Sequence, residues 1–309
     1  MPAQRPMTLF EWIMLLALSV LWGGTFFFVE VALTDIPPLT LVFCRLVLAA
    51  LALHIVVLLR GQRMPADMRL WGAFAMMGLI NNFIPFTLIF WGQTHIEGSL
   101  AAILNATTPL WTVLLAHVLT DNERLTPARL AGAMIGFTGV VLMFGADAAE
   151  GVSANLLGQA AVVLAALSYA FAGIFGRRFK GIPPLHTATG QLTASALFMT
   201  PVALSLDRPW NLAFPHAGVV GAVVALALAS TAFAYILYFR ILATAGATNV
   251  LLVTFLVPVS ALVLGVGLLG ERLSLSDYAG MGLIGLGLMA IDGRAISLFR
   301  KPHPAMGHE

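Results

Sequence analysis

Amides, hydroxyls and aromatic rings recur at helical spacing inside the apolar runs of this 309-residue chain. Asn105, Thr108 and Thr112 stand three and four residues apart, which is one face of a helix. Asn81, Asn82 and Pro85 occupy the run before them, with Asn81 and Pro85 four apart. An earlier run offers Ser19, Trp22 and Phe26, and a later one Ser230, Thr231, Tyr235 and Tyr238. None of these groups pairs a nucleophile with a base. What amides and hydroxyls do is read the polar atoms of a ligand through hydrogen bonds. Trp22, Phe83, Phe86, Tyr235 and Tyr238 could line the walls around such a ligand. The other reading of the same residues is packing and hydrogen bonding between neighbouring helices, which is common in membrane bundles.

One charged group joins them. Arg45 lies within an apolar run, about two turns from its end. It could hold a carboxylate, pair with Glu30 or Asp35, or extend its head to the membrane interface. His54 and His117 fall towards helix ends and read as interfacial. Pro109 removes a donor from the carbonyl of Asn105, and Pro258 from that of Thr254. With Pro85, these are candidate hinges; a static kink is the plainer alternative.

The elements that position these groups follow from composition. Sixty per cent of the residues are hydrophobic and 10% are charged, against roughly 25% charged in soluble domains. The chain is therefore expected to be an all-α integral membrane protein, since lipid cannot satisfy a bare backbone. Ten apolar segments can be marked: Leu9–Val31, Pro37–Leu59, Leu70–Gly92, Ser99–Leu119, Pro127–Gly145, Leu156–Gly176, Pro184–Leu206, Gly218–Phe239, Thr248–Leu269 and Leu275–Asp292. The first is too long for a signal-peptide core and lacks a small-x-small cleavage site, so it reads as a retained helix. The alternation of a membrane β-barrel is absent.

Basic residues orient the segments. With the N-terminus inside, Arg5, Arg60, Arg63, Arg69, Arg124, Arg129, Arg177, Arg178, Lys180, Arg240, Arg294, Arg300 and Lys301 are cytoplasmic, and only Arg208 and Arg272 are outside. Residues 1–8 and 293–309 are then cytoplasmic tails. The basic residues form no stripe, so the net charge of +2 does not point to nucleic acid. The single cysteine, Cys44, excludes an internal disulfide framework.

The chain repeats itself. Pro109 and Pro258 are 149 residues apart, and the turns Glu123-Arg124-Leu125 and Glu271-Arg272-Leu273 are 148 apart. Leu18-Ser19 matches Leu167-Ser168, Ile36-Pro37-Pro38-Leu39 matches Ile182-Pro183-Pro184-Leu185, and Asn81-Asn82 falls opposite Ser230-Thr231. Residues 9–145 and 156–292 are thus expected to be two repeats. Five segments apiece, an odd number, turn the second upside down relative to the first. Inverted repeats around a midplane site are the architecture of many secondary transporters. Gly132, Gly136, Gly139, Gly280, Gly282, Gly285 and Gly287 allow close helix approach, and Gly132-x-x-x-Gly136 also fits a helix-dimer face. The expected state is a monomer or weak homodimer.

Absences narrow the chemistry. There is no His-Glu-x-x-His, no Gly-x-Ser-x-Gly and no phosphate-binding Gly-x-x-x-x-Gly-Lys loop. No enzyme, metal or cofactor is expected. Glu11, Glu30 and Asp292 sit near segment ends, so a buried carboxylate for a lipophilic cation, or a carboxylate proton relay, is disfavoured. A phosphorylated substrate would want two or more basic groups, and only Arg45 is at hand. A neutral, zwitterionic or amphipathic small molecule remains, with amino acids the best fit. A channel would need a symmetric pore or filter loop, and neither is signalled.

Leu21-Trp22-Gly23-Gly24-Thr25-Phe26, Phe43-Cys44-Arg45, and Pro109 followed by Glu123-Arg124-Leu125-Thr126 and a Gly-rich segment resemble the EamA family of the drug/metabolite transporter superfamily. Gly190-Gln191, Pro258 and Glu271-Arg272-Leu273-Ser274 repeat the style in the second half. The resemblance implies ten helices in inverted repeats, a bacterial inner-membrane setting, and export or uptake of small metabolites, often amino acids. Membrane lipid and a small-molecule substrate are the partners it implies. No motif here places the chain in the branch that exports aromatic amino acids.

Overall fold

A computed structural model describes residues 7–120, 126–148 and 154–292. Their helices, in chain order, are α1 (Leu9–Ala32), α2 (Pro38–Leu59), α3 (Met68–Gly92), α4 (Gly98–Leu119), α5 (Pro127–Ala148), α6 (Ala154–Phe175), α7 (Pro184–Leu206), α8 (Ala217–Ala245), α9 (Val253–Leu269) and α10 (Leu275–Asp292). No strand occurs among the described residues. Seven of these helices, α1 to α6 and α8, are long and apolar enough to cross a membrane, and α9 is a shorter apolar helix. The first repeat's Glu123-Arg124 turn and both tails beyond residues 7 and 292 lie outside the described residues.

Local sequence sets the helix ends. Thr8 and Glu11 form a capping box: Glu11 N–H donates to Thr8 Oγ1 at 3.3 Å and Thr8 N–H to Glu11 Oε2 at 2.8 Å. The two Pro-Pro pairs act alike. Pro37 and Pro183 precede α2 and α7, and Pro38 and Pro184 open them, where the missing N–H has no intrahelical partner to lose. Apolar side chains such as Leu9, Ile55, Leu58, Val141, Leu197 and Leu286 cover the outside of the bundle, as a lipid-facing surface requires.

Helices pair across the halves, and the pairs survive exchange of the halves. The two closest are α5 with α10 and α2 with α7. Contacts of α1 with α9 are mirrored by α6 with α4, and those of α3 with α6 by α8 with α1. Small residues make these approaches. A Cβ on Gly132 would sit 2.6 Å from Gly287 O, and one on Gly139 would sit 2.6 Å from Gly280 O. Gly136 faces Leu110. The seam read as a possible dimer face is therefore filled within the chain. Gly282 and Gly285 meet nothing within 4 Å and point away from the seam.

Three helices depart from α geometry. Within α3, Leu79–Phe83 form a π turn immediately before Pro85, and the Ile84 N–H reaches back to Leu79 O. In α8 the π stretch spans Ala225–Phe233, where Thr231 Oγ1 donates to Leu226 O at 2.8 Å. In α9 it spans Gly265–Leu269. The fourth segment, expected as one helix with Pro109 inside, breaks at Ala106–Thr107 and resumes at Thr108. Pro109 thus occupies the first turn of the second piece, where proline costs little. Pro258 stays inside α9, six residues after a separate break at Leu251–Leu252. The two prolines are equivalent in sequence and differ in setting.

Candidate functional site

The helices surround a cavity of about 770 Å³. Of the residues singled out by sequence, Trp22, Arg45, Asn81, Phe86, Asn105, Thr108, Ser230, Thr231, Tyr235, Tyr238 and Pro258 line it. Asn82, Phe83, Pro85, Pro109 and Thr112 are not part of the lining. Asn82 is fully buried behind it, its Nδ2 donating to Tyr235 Oη at 3.3 Å. Phe83 packs edge-on against Phe198. Thr112 donates to Thr108 O at 2.9 Å and Thr108 to Asn105 O at 2.8 Å. Those hydroxyls therefore spend their hydrogens on their own helix, and Thr108 supplies the donor that the Asn105 carbonyl lost to Pro109.

The wall is built by cross-helix contacts. Arg45 from α2 is 5% exposed. Its Nε–H donates to Thr231 Oγ1 at 2.8 Å, and its guanidinium carbon lies 3.8 Å from the Phe86 ring centroid. Glu30 and Asp35, the partners weighed for it, are engaged elsewhere. Among the described residues Arg45 makes no ion pair. Asn81 Nδ2 donates to Tyr235 Oη at 3.1 Å and to Gln191 Oε1 at 3.2 Å, joining α3, α7 and α8. The π turns carry these groups: Asn81 sits in one, and Ser230 and Thr231 in the other. Trp22 and Tyr238 pack at 5.5 Å between centroids, beside Phe239. Buried Asn105 Oδ1 and Ser230 Oγ have no protein hydrogen-bond partner.

Sequence reasoning missed Tyr169, which lines the cavity beside the region of Ser168. Gln191, named in the sequence only as part of the Gly190-Gln191 motif, also lines the cavity.

The two ends of the cavity differ. At one end Gly173, Gly176, Arg177 and Lys180, which follow or end α6, and Val250 and Leu251 before α9 all line it, with Arg177, Lys180 and Leu251 exposed. At the other end the equivalent elements, the C-terminal part of α1 and the start of α4, are tied together. Gln93 Nε2 donates to Phe26 O at 2.9 Å, Gly98 N–H to Glu30 Oε2 at 3.0 Å, and Ser99 N–H to Glu271 Oε2 at 3.0 Å. Farther along that end, Thr40 N–H donates to Asp207 Oδ2 at 2.7 Å, and Asp35 pairs with His216 at 2.7 Å. The His216 backbone N–H, then its ring, holds the Asp35 carboxyl below its usual range.

No group of three or more metal-ligating side chains occurs among the described residues. What the arrangement offers is a largely apolar, ring-lined cavity with a few polar groups and an unpaired cation in its wall, open at one end and tied at the other.

Comparison with known proteins decides the class. The model of the EamA-like transporter family matches residues 9–145 and again residues 156–291. The chain belongs to the EamA-like transporter family. Its relatives span nearly its whole length. The uncharacterized transporter YoaV of Bacillus subtilis is 22% identical over 89% of this chain and 94% of its own. The uncharacterized inner membrane transporter YedA of Escherichia coli K12 is 26% identical over 87% of this chain and 86% of its own. Protein PecM of Dickeya dadantii is 26% identical over 91% of each chain. A solved crystal structure, 22% identical, matches 94% of this chain with a TM-score of 0.66, a likeness of fold. This EamA-like transporter is an integral membrane protein, and its family's activity is transport rather than catalysis.

Proposed function

We propose that this EamA-like transporter is a secondary carrier of small zwitterionic or carboxylate-bearing metabolites, amino acids foremost. The carrying observation is Arg45, a buried guanidinium in the cavity wall with no anionic partner among the described residues. An unpaired buried cation is costly, and a substrate carboxylate on its free nitrogens would relieve that cost. Asn81, Asn105, Ser230 and Tyr235 then meet the remaining polar atoms, while Trp22, Phe86 and Tyr238 cover the apolar part.

Ten membrane crossings in two inverted repeats, 9–145 and 156–292, are the framework of this reading. The pair pattern that survives exchange of the halves supports it. So does the contrast between the tied α1–α4 end and the α6–α9 end, whose described residues line the cavity mouth. Exchanging those two states gives alternating access. By its basic residues the open end is cytoplasmic, so this is the inward-open state of an inner-membrane protein with both termini inside.

The test is counterflow in proteoliposomes with a panel of amino acids and their carboxamides, with and without a pH gradient. Saturable counterflow separates a carrier from a channel. Arg45→Gln should lower the apparent affinity for carboxylates roughly 30-fold, from about 2 kcal/mol for a charge-assisted hydrogen bond, and affect carboxamides much less. Equal loss for both would refute the role of Arg45. Movement of a cation or a phosphorylated compound, with no amino acid or related metabolite moved, would overturn the substrate class.

A further inference from the structure

The tied end contains a pair the sequence discouraged. No carboxylate lies in the middle of a segment, so proton chemistry was disfavoured. The fold nevertheless brings Glu30 of α1 and Glu271 of the α9–α10 connection together across the first turn of α4. Glu30 accepts from Gly98 N–H and Glu271 from Ser99 N–H, both at 3.0 Å. Two carboxyls therefore cap one helix N-terminus, whose dipole favours roughly half a negative charge there. Glu271 is 7% exposed, and its Oε1 has no donor. The adjacent N–H groups of Gly98 and Ser99 set the two carboxyls side by side.

The charged surroundings do not supply a cation. Glu97, at the start of α4, adds further negative charge to Glu30, and its Oε1 is taken by Arg272 N–H at 3.2 Å. Among the described residues no Lys or Arg side chain forms a salt bridge with either carboxyl. His95, Arg272 and Asp277 line, with Glu97, a separate depression of about 350 Å³. Asp35 and His216 engage each other. Two ionised carboxylates are both acceptors only and repel; a hydrogen bond between them exists only when one carries a proton.

The position gives that proton a consequence. Phe26, one turn before Glu30, and Ala102, one turn into α4, line the cavity. Gly265 of α9 faces both Glu271 and Ser99. The pair therefore sits just beyond the tied end of the cavity, where α1, α4 and α9 meet.

We propose that Glu30 and Glu271 form a proton-binding site that holds the outer end of the cavity shut. A proton taken from water on the outer side binds one carboxylate oxygen. The new O–H donates to the other carboxyl, and both keep their grip on the α4 N-terminus. Release of the proton restores two like charges in contact and loosens the junction. External acidity thus favours the inward-open state.

The test reads conformation without substrate, so its failure leaves the carrier reading standing, and the reverse. Spin labels at Thr34→Cys and Leu275→Cys, both exposed positions at the outer end, are placed in a Cys44→Ala background in liposomes. Distances are measured from pH 5 to pH 9. The expected result is a single short distance at low pH and a longer population that grows by up to about tenfold per pH unit as the proton leaves, the slope set by one proton. Glu30→Gln and Glu271→Gln, each with an amide that donates to the remaining carboxylate, should stay short throughout. Asp35→Asn should retain the response, because the Asp35 carboxyl, held below its usual range by His216, stays ionised from pH 5 to pH 9. A wild-type distance that ignores pH overturns the proposal with no variant needed. So does a pH response that persists in both glutamine variants or vanishes in Asp35→Asn.

Discussion

Gly265 sets how closely the junction of α1, α4 and α9 can close. A Cβ there would collide with the Glu271 carboxyl and the Ser99 hydroxyl, and Glu271 is also held by its own N–H to Gly265 O at 3.2 Å. Glycine therefore lets the α9–α10 connection fold back onto the start of α4. Gly265→Ala should push Glu271 off the Ser99 N–H. Overpacking of this kind costs about 1–3 kcal/mol, which would lower the closed-to-open ratio roughly 5- to 150-fold. The same spin-label pair would report it as a longer outer distance at every pH. An unchanged distance would mean that the junction tolerates the methyl group. Arg45 teaches a related lesson at this scale. Its expected partners, Glu30 and Asp35, are taken by backbone N–H groups and by His216, and that diversion leaves the guanidinium to the cavity.

Helices in this bundle approach through glycine, and α5 with α10 is the clearest case. Backbone meets backbone at Gly132–Gly287 and Gly139–Gly280. In lipid, such contact relies on van der Waals packing, so bulk at the seam is felt directly. Gly139→Leu should destabilise the purified protein by about 1–3 kcal/mol or more and lower its midpoint of thermal unfolding. Gly285→Leu is the matched control. Nothing lies within 4 Å of that glycine, and leucine is the better helix former by about 0.5–1 kcal/mol, so stability should hold or rise. Equal losses would show that the seam is not where the packing resides. The π turns of α3 and α8 belong to this scale as well. Each inserts an extra residue into the turn, and each carries the polar residues facing the cavity, a frequent association.

The whole molecule is asymmetric in state although its sequence repeats. At one junction Glu30 ties α1 to α4, Gln93 ties the end of α3 to α1, and Glu271 ties the α9–α10 connection to α4. Its counterpart, α6 with α9, lines the mouth. A cysteine replacing Lys180, which is exposed and lines that mouth, should react in a Cys44→Ala background with a membrane-impermeant maleimide in inside-out vesicles and not in intact cells. A cysteine replacing Leu275 should show the opposite preference. The reverse pattern would invert the proposed orientation.

Much of this was legible in the residues. Ten apolar segments, the Pro-Pro starts of α2 and α7, the glycine seam and most of the cavity-lining polar groups follow from hydropathy, turn chemistry and 3.6-residue spacing, because those are local properties. The break before Pro109 depended on where Thr107 and Thr108 could redirect their hydroxyls, and the π turn in α8 has no proline to announce it. Asn82 and Thr112 lie on plausible faces, yet Asn82 is buried behind Tyr235 and Thr112 bonds its own helix, so neither lines the cavity. The Glu30–Glu271 pair spans more than two hundred residues of chain, and each carboxylate alone looks like an ordinary helix-end charge. Residue types and their spacing carry the class of protein, its repeated motifs and the kinds of group available for recognition. Which of those groups meet depends on packing, because a junction between α1, α4 and α9 exists only once the helices have packed.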